Sequence, residues 1–181
     1  ARSLSWNVVA GIDRCVTLPK WHRLNHDHPL ITADITKDND RNFIAGSLQG
    51  LVDICLFSPP CQPFSSAGME LEHDSRTDVA AAGTKLILNL MPQLAVIESV
   101  RGFTNSRKNS VYQDYIRPSL EAAGYQLTAA RCNASSLIPT NRPRVFIVCT
   151  LYFRDNKLQE HMKRMNLAPV LSLSHWFPDL K

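Results

Sequence analysis

The chain has 181 residues, 44% hydrophobic and 20% charged, with 7 glycines and 11 prolines, proportions that fit one globular domain with a sizeable core and exclude a disordered, collagen-like or disulfide-stapled chain. No apolar run approaches the roughly 20 residues that span a bilayer, and residues 1–6 lack the basic and apolar regions of a signal peptide, so the chain reads as soluble and intracellular. Net charge is +4 but uneven: residues 1–100 carry 8 basic and 11 acidic side chains, residues 101–164 carry 11 and 4, so the second half has the sign suited to a polyanion or is simply a solvated basic face.

In chain order, an apolar β-rich run at 8–12 is followed by helical character over 15–25, where Pro19 delays or kinks the helix. A strand is predicted at 30–35, a helix at 42–50 and a strand at 52–58. A long loop, 59–77, precedes a helix at 79–91 with apolar residues at i, i+3, i+4 spacing, and a strand follows at 94–98. The helix over 110–123 ends at Gly124 as its C′ residue, before a strand at 126–131. A second loop, 133–142, leads into a last strand at 144–152, and from 155 onward the pattern loosens into a short basic amphipathic segment and a proline-punctuated tail. Strand and helix in alternation predict an α/β domain with a mostly parallel sheet. Both long loops adjoin strand ends, where such sheets bind ligands.

Three local features carry chemistry. In Ser58-Pro59-Pro60-Cys61-Gln62-Pro63-Phe64-Ser65, two prolines stiffen a strand exit and present a thiol at the sheet edge, as a nucleophile requires; taken alone, a cysteine there is more often just a loop residue. Glu98 closes the apolar strand Leu94-Ala95-Val96-Ile97, where poor solvation favours proton donation unless the side chain turns to water. Arg142 and Arg144 stand at i and i+2 before Val145, spaced to clamp a carbonyl oxygen or phosphate from one side of an extended chain. Cys15, Cys55, Cys61, Cys132 and Cys149 form no C-x-x-C pair, which points to reduced thiols in a cytosolic or nuclear setting and not to zinc. His26-Asp27-His28 has metal donor atoms but fits a solvated turn before Pro29, so no metal is expected.

Together and in this order these features resemble the DNA (cytosine-5) methyltransferase family. Pro60, Cys61, Gln62, Phe64 and Ser65 match its nucleophile motif. Asp74-Ser75-Arg76 looks like the next motif, Glu98-Ser99-Val100 stands in place of Glu-Asn-Val, and Thr140-Asn141-Arg142-Pro143-Arg144 in place of Gln-x-Arg-x-Arg. Asp13, followed by Asn25 and then Asp34-Ile35, is similar to the cofactor-binding stretch, and the likeness runs from about residue 8 to 152. It implies a Rossmann-like fold dependent on S-adenosylmethionine, with helices on both faces of the sheet. It implies methyl transfer to C5 of cytosine in double-stranded DNA through a covalent adduct of Cys61 with C6 of a flipped-out base. Glu98 would bind N3 and the exocyclic amine, Arg144 the O2 carbonyl, and Arg142 the loop or the developing charge. Asp13 and Arg14, Asp34 and Ile35, and Pro60 would line the cofactor; Gln62, Ser65 and Arg76 would meet the DNA backbone.

The sequence departs from the family pattern in places. The Phe-x-Gly-x-Gly loop after the first strand is missing, together with that strand. This implies a catalytic portion over 1–154 and a connector over 155–181 toward an absent target-recognition region, with a second polypeptide as one source of the missing part. Ser99 and Thr140 replace amides that hold the catalytic strands. A degenerate module that binds nucleic acid or a partner, and an RNA cytosine-5 methyltransferase, are the alternatives.

Overall fold

The computed structural model describes residues 6–60, 75–105, 111–136 and 140–151. In chain order these form β1 (Gly11–Asp13), α1 (Leu18–Asn25), β2 (Leu30–Thr32), α2 (Asp38–Leu48), β3 (Ile54–Phe57), α3 (Ser75–Leu90), β4 (Leu94–Ser99), α4 (Gly102–Asn105), a π-helical segment (Val111–Ile116), α5 (Arg117–Ala122), β5 (Gln126–Asn133), a 3₁₀ turn (Ala134–Ser136) and β6 (Pro143–Thr150). None of the helices among the described residues is long and apolar enough to cross a membrane.

Local chemistry accounts for most boundaries. Pro19 sits in the first turn of α1, where its missing N–H costs nothing, so the helix starts at Leu18 and not at Cys15. Helix α2 begins a turn earlier than predicted because Asp38 and Asp40 favour the N-terminal end of the helix dipole. Buried Arg41 locks that turn by an ion pair with Asp38 and a 2.5 Å bond to the Ile35 carbonyl. Pro118 falls at the start of α5; it cannot donate to the preceding turn, and the wide π segment accommodates the break. Gly124, at φ +93°, closes α5 as the glycine reading predicts.

The sheet is mixed, which corrects the expectation of a mostly parallel one. Strands β1 and β2 pair in parallel as a two-stranded unit, and the other four run in the order β3-β4-β6-β5. Only β3 and β4 are parallel there; β6 runs antiparallel to both β4 and β5. The physical reason lies between β5 and β6: only the residues 134–142 separate them, and a parallel connection needs a crossover of a dozen or more residues. The two strands instead run antiparallel with their adjoining ends tied together, Asn133 Nδ2 donating to Asn141 Oδ1 at 2.9 Å and the Arg142 amide donating to Asn133 Oδ1 at 3.0 Å.

One face of the four-stranded sheet, with Cys55, Phe57, Ala95, Ile97, Val145, Ile147 and Cys149, shares a core with Ala80 and Ile87 of α3, Phe103, Tyr112, Ile116 and Leu120. Helix α3, Phe103 of α4, the π segment and α5 pack on that face; on the other, Ile54 and Leu56 are exposed. A second core joins Ala33, Ile44 and Leu48 to Leu86 and Leu90 of α3, with Ile12 and Ile31 packed against it. Helix α3 thus contributes to both cores. The buried Tyr125 hydroxyl, donating to the Pro92 carbonyl at 2.7 Å, ties the entry of β5 to the entry of β4.

Candidate active site

The antiparallel turn of β6 builds the central pair. Glu98 sits near the carboxyl end of β4, opposite Phe146, and Ser99 is opposite Val145. The start of β6 therefore lies beside the end of β4, and Arg144 Nε meets Glu98 Oε1 at 2.8 Å, with the two side chains 19% and 29% exposed. A parallel β6 would have carried Arg144 to the opposite edge. Arg144 is steadied by its own Nη1, which donates to the Pro143 carbonyl at 2.9 Å. Arg142 is exposed ahead of the strand and forms no ion pair among the described residues, so the structure brings together Glu98 and Arg144 and leaves Arg142 apart.

Sequence reasoning missed Ser58. Its hydroxyl donates to Glu98 Oε2 at 2.6 Å, and the partners lie 40 positions apart, so only the β3–β4 register makes the contact. The signal available in the sequence was a hydroxyl at the exit of the strand that leads to Cys61. Ser99 is buried at 1% exposure, and its hydroxyl has no hydrogen-bond partner among the described residues.

The expected cofactor residues follow strand ends. Asp13 ends β1, exposed, and Oδ1 accepts the Cys15 amide at 2.7 Å. The Asp13 carbonyl accepts the Ala33 amide at 3.0 Å, which draws the stretch after β2 toward β1. Asp34 Oδ1 accepts the Thr36 hydroxyl at 2.7 Å and the Thr36 amide at 3.1 Å. Those bonds, with Arg14 and Lys37 as lesser contributors, hold its carboxyl below the usual carboxylate range. Ile35 packs against the second core and Pro60 is half-buried behind a buried Pro59.

Cys61, Gln62 and Ser65 lie outside the described residues, as does the side chain of Arg76 in the first turn of α3. The remaining thiols divide by burial, which pushes Cys55 up to about 11 and Cys149 up to about 12. At α1–β2, His22 Nε2 and His28 Nε2 lie 3.0 Å apart, and no group of three or more His, Cys, Asp or Glu among the described residues is arranged to hold a metal ion.

Comparison with known proteins gives this arrangement its context. The chain is 27% identical over 163 residues to the type II methyltransferase M.HindV of Haemophilus influenzae, covering 86% of this chain and 52% of that protein. It is 32% identical over 157 residues to the human tRNA (cytosine(38)-C(5))-methyltransferase, covering 80% of this chain and 36% of the human one. It therefore spans about half the length of the first and about a third of the second. Among solved structures, the Entamoeba histolytica methyltransferase EhMeth superposes with a TM-score of 0.66 at 22% identity, covering 84% of this chain and 48% of that one, which establishes the likeness of fold. The sequence pattern of the C-5 cytosine-specific DNA methylases matches residues 3–172, nearly the whole chain, and the protein belongs to that family.

Proposed function

We propose that the chain is the catalytic portion of an enzyme that methylates C5 of cytosine in double-stranded DNA, working inside the cell. The observation that carries this reading is the meeting of Arg144 with Glu98 at 2.8 Å beside Ser58, three residues before Cys61. C5 of cytosine is a poor nucleophile. Addition of the Cys61 thiolate to C6 forms an S–C6 bond and moves electron density onto C5. Glu98, hydrogen-bonded to N3 and the exocyclic amine, offsets the charge that builds on the ring, and Arg144 donates to O2. After C5 is methylated its proton leaves, the C5–C6 double bond re-forms and Cys61 departs as thiolate. Arg142 supports the loop ahead of β6.

S-adenosylmethionine would supply the methyl group, carried on a positively charged sulfur. The donor set suits it: the carboxylates of Asp13, at the end of β1, and Asp34, two residues beyond β2, match ribose hydroxyls and an adenine amine, and Arg14, Ile35 and Pro60 would complete the lining. The strand pairing is interrupted between β1 and β3, and further polypeptide bearing a glycine-rich turn, on this chain or a second one, would complete the cofactor cradle. A cytosine inside a duplex must be flipped out to reach the thiol, at a cost of a few kcal/mol. Gln62, Ser65 and Arg76 on the DNA backbone, together with the basic second half of the chain, would help meet it.

Transfer RNA is the second substrate class, because the relatives include a human tRNA enzyme at 32% identity beside the DNA enzymes. Transfer of labelled methyl from S-adenosylmethionine by the full-length protein, to duplex DNA and to transfer RNA in parallel, tests both. Incorporation into DNA that disappears in Cys61→Ser is the expected result; incorporation into transfer RNA alone reverses the substrate, and equal incorporation by Cys61→Ser overturns the mechanism.

A further inference from the structure

Ser58 lies one residue beyond β3. The parallel register pairs Phe57 with Ile97, so the next step of that register sets Ser58 abreast of Glu98 on a neighbouring strand, within reach of a side chain as short as serine. The 2.6 Å bond from its Oγ to Glu98 Oε2 has the length of a charge-assisted O–H···O⁻ contact. From the opposite side Arg144 Nε donates to Oε1 at 2.8 Å. The strands flanking β4 therefore each hold one oxygen of the same carboxylate.

We infer that Ser58 is a positioning residue that fixes the orientation of Glu98 toward the target base; the inference rests on the reading that Glu98 binds that base. Three physical points carry it. The terminal torsion of a glutamate is broad and roughly two-fold, so a carboxylate held by Arg144 alone can turn and exchange its oxygens, and the second donor removes that freedom. When Arg144 turns to the O2 carbonyl of a bound cytosine, Ser58 remains as the side-chain donor on Glu98 among the described residues. A hydroxyl also accepts as well as it donates, so the contact survives movement of a proton onto or off Glu98, which a fixed donor such as lysine would not allow. Ser58 is exposed, so its hydroxyl does little for folding, and its place at the sheet edge is explained by Glu98.

The test uses the full-length enzyme. Ser58→Ala is expected to lower kcat about tenfold or more, as loss of orientation does, with KM for DNA, KM for S-adenosylmethionine and Tm unchanged. Ser58→Thr, which keeps the hydroxyl, is expected to restore kcat to within about twofold of the original, a difference too small to matter beside the tenfold loss. A wild-type kcat in Ser58→Ala, or a loss that Ser58→Thr fails to rescue, overturns the inference and leaves the methyltransferase reading standing. Should the unsubstituted enzyme methylate nothing, that reading falls, and the carboxyl carbon resonance of Glu98 then decides: a shift in Ser58→Ala but not in Ser58→Thr supports the contact, and an unmoved resonance in both overturns it.

Discussion

Cys55 and Cys149 sit on strands flanking β4, and burial raises both thiols far above neutral pH, to about 11 and about 12; at pH 8 almost none of either is thiolate, the reactive form. Cys15 is exposed, and bonds from the Thr17 side chain and backbone lower its thiol. Brief alkylation with iodoacetamide at pH 8, read by peptide mass, should label Cys15 and spare Cys55 and Cys149 until the protein is unfolded; labelling of Cys149 in the folded chain would contradict the burial argument. His22 gives a second expectation at this scale. Desolvation, then the charges of His28 and His26, lower its pKa from the ordinary 6.5. The unfolded chain therefore binds that proton more readily, so the stability His22 contributes is complete above pH 6.5 and is lost as pH falls below it. The urea midpoint should drop more between pH 7.5 and 5.5 for the unsubstituted chain than for His22→Gln, and equal drops would rule the effect out. Glu98, Arg144 and the carboxylates at Asp13 and Asp34 were legible as residues because motif spacing marks them. Ser58 was not, because its role depends on strand register across 40 positions.

At the scale of elements, the packing of α3 on β3 is set by one missing side chain. A Cβ at Gly83 would overlap the ring of Phe57, which packs half-buried against the core beneath α3. Overpacking of this kind costs about 1–3 kcal/mol, against about 1 kcal/mol that alanine gains over glycine in a helix. Gly83→Ala is therefore expected to lower the urea midpoint with the slope unchanged, and a raised midpoint would show that Phe57 moves freely. Strand and helix identities were readable from periodicity and punctuation, down to the delay at Pro19 and the stop at Gly124. Strand direction was not: alternating β and α runs suggest parallel pairing, and the decisive sign was the shortness of the connection between β5 and β6. That reversal forms the site, since it sets Arg144 beside Glu98. The clasp of Asn133 on Asn141 and Arg142 holds the hairpin base, and Asn133→Ala should lower kcat of the full-length enzyme more than it lowers Tm; an effect on Tm alone would make the clasp merely structural.

Over the whole molecule, two strand sets share helix α3, which supplies Ala80 and Ile87 to one core and Leu86 and Leu90 to the other. The proposed cofactor carboxylates belong to the two-stranded set and the proposed base-binding pair to the four-stranded set, so α3 is the element that both halves of the proposed site have in common. The excess of positive charge in the second half gains a partial explanation in Arg144, which pairs with Glu98, while Arg142 and Arg131 are exposed. The family was legible in the ordered motifs; which nucleic acid the proposed activity acts on was not, because the relatives include both DNA and tRNA enzymes. The central claim is covalent catalysis by Cys61, and a DNA duplex with fluorine at C5 of the target cytosine tests it directly. After methyl transfer no proton is left on C5 to be removed, so the S–C6 bond cannot break. Incubated with this duplex and S-adenosylmethionine, the full-length enzyme should form a stable protein–DNA adduct that maps to Cys61 by peptide mass and is absent in Cys61→Ser; no adduct, or one on another cysteine, would contradict the account.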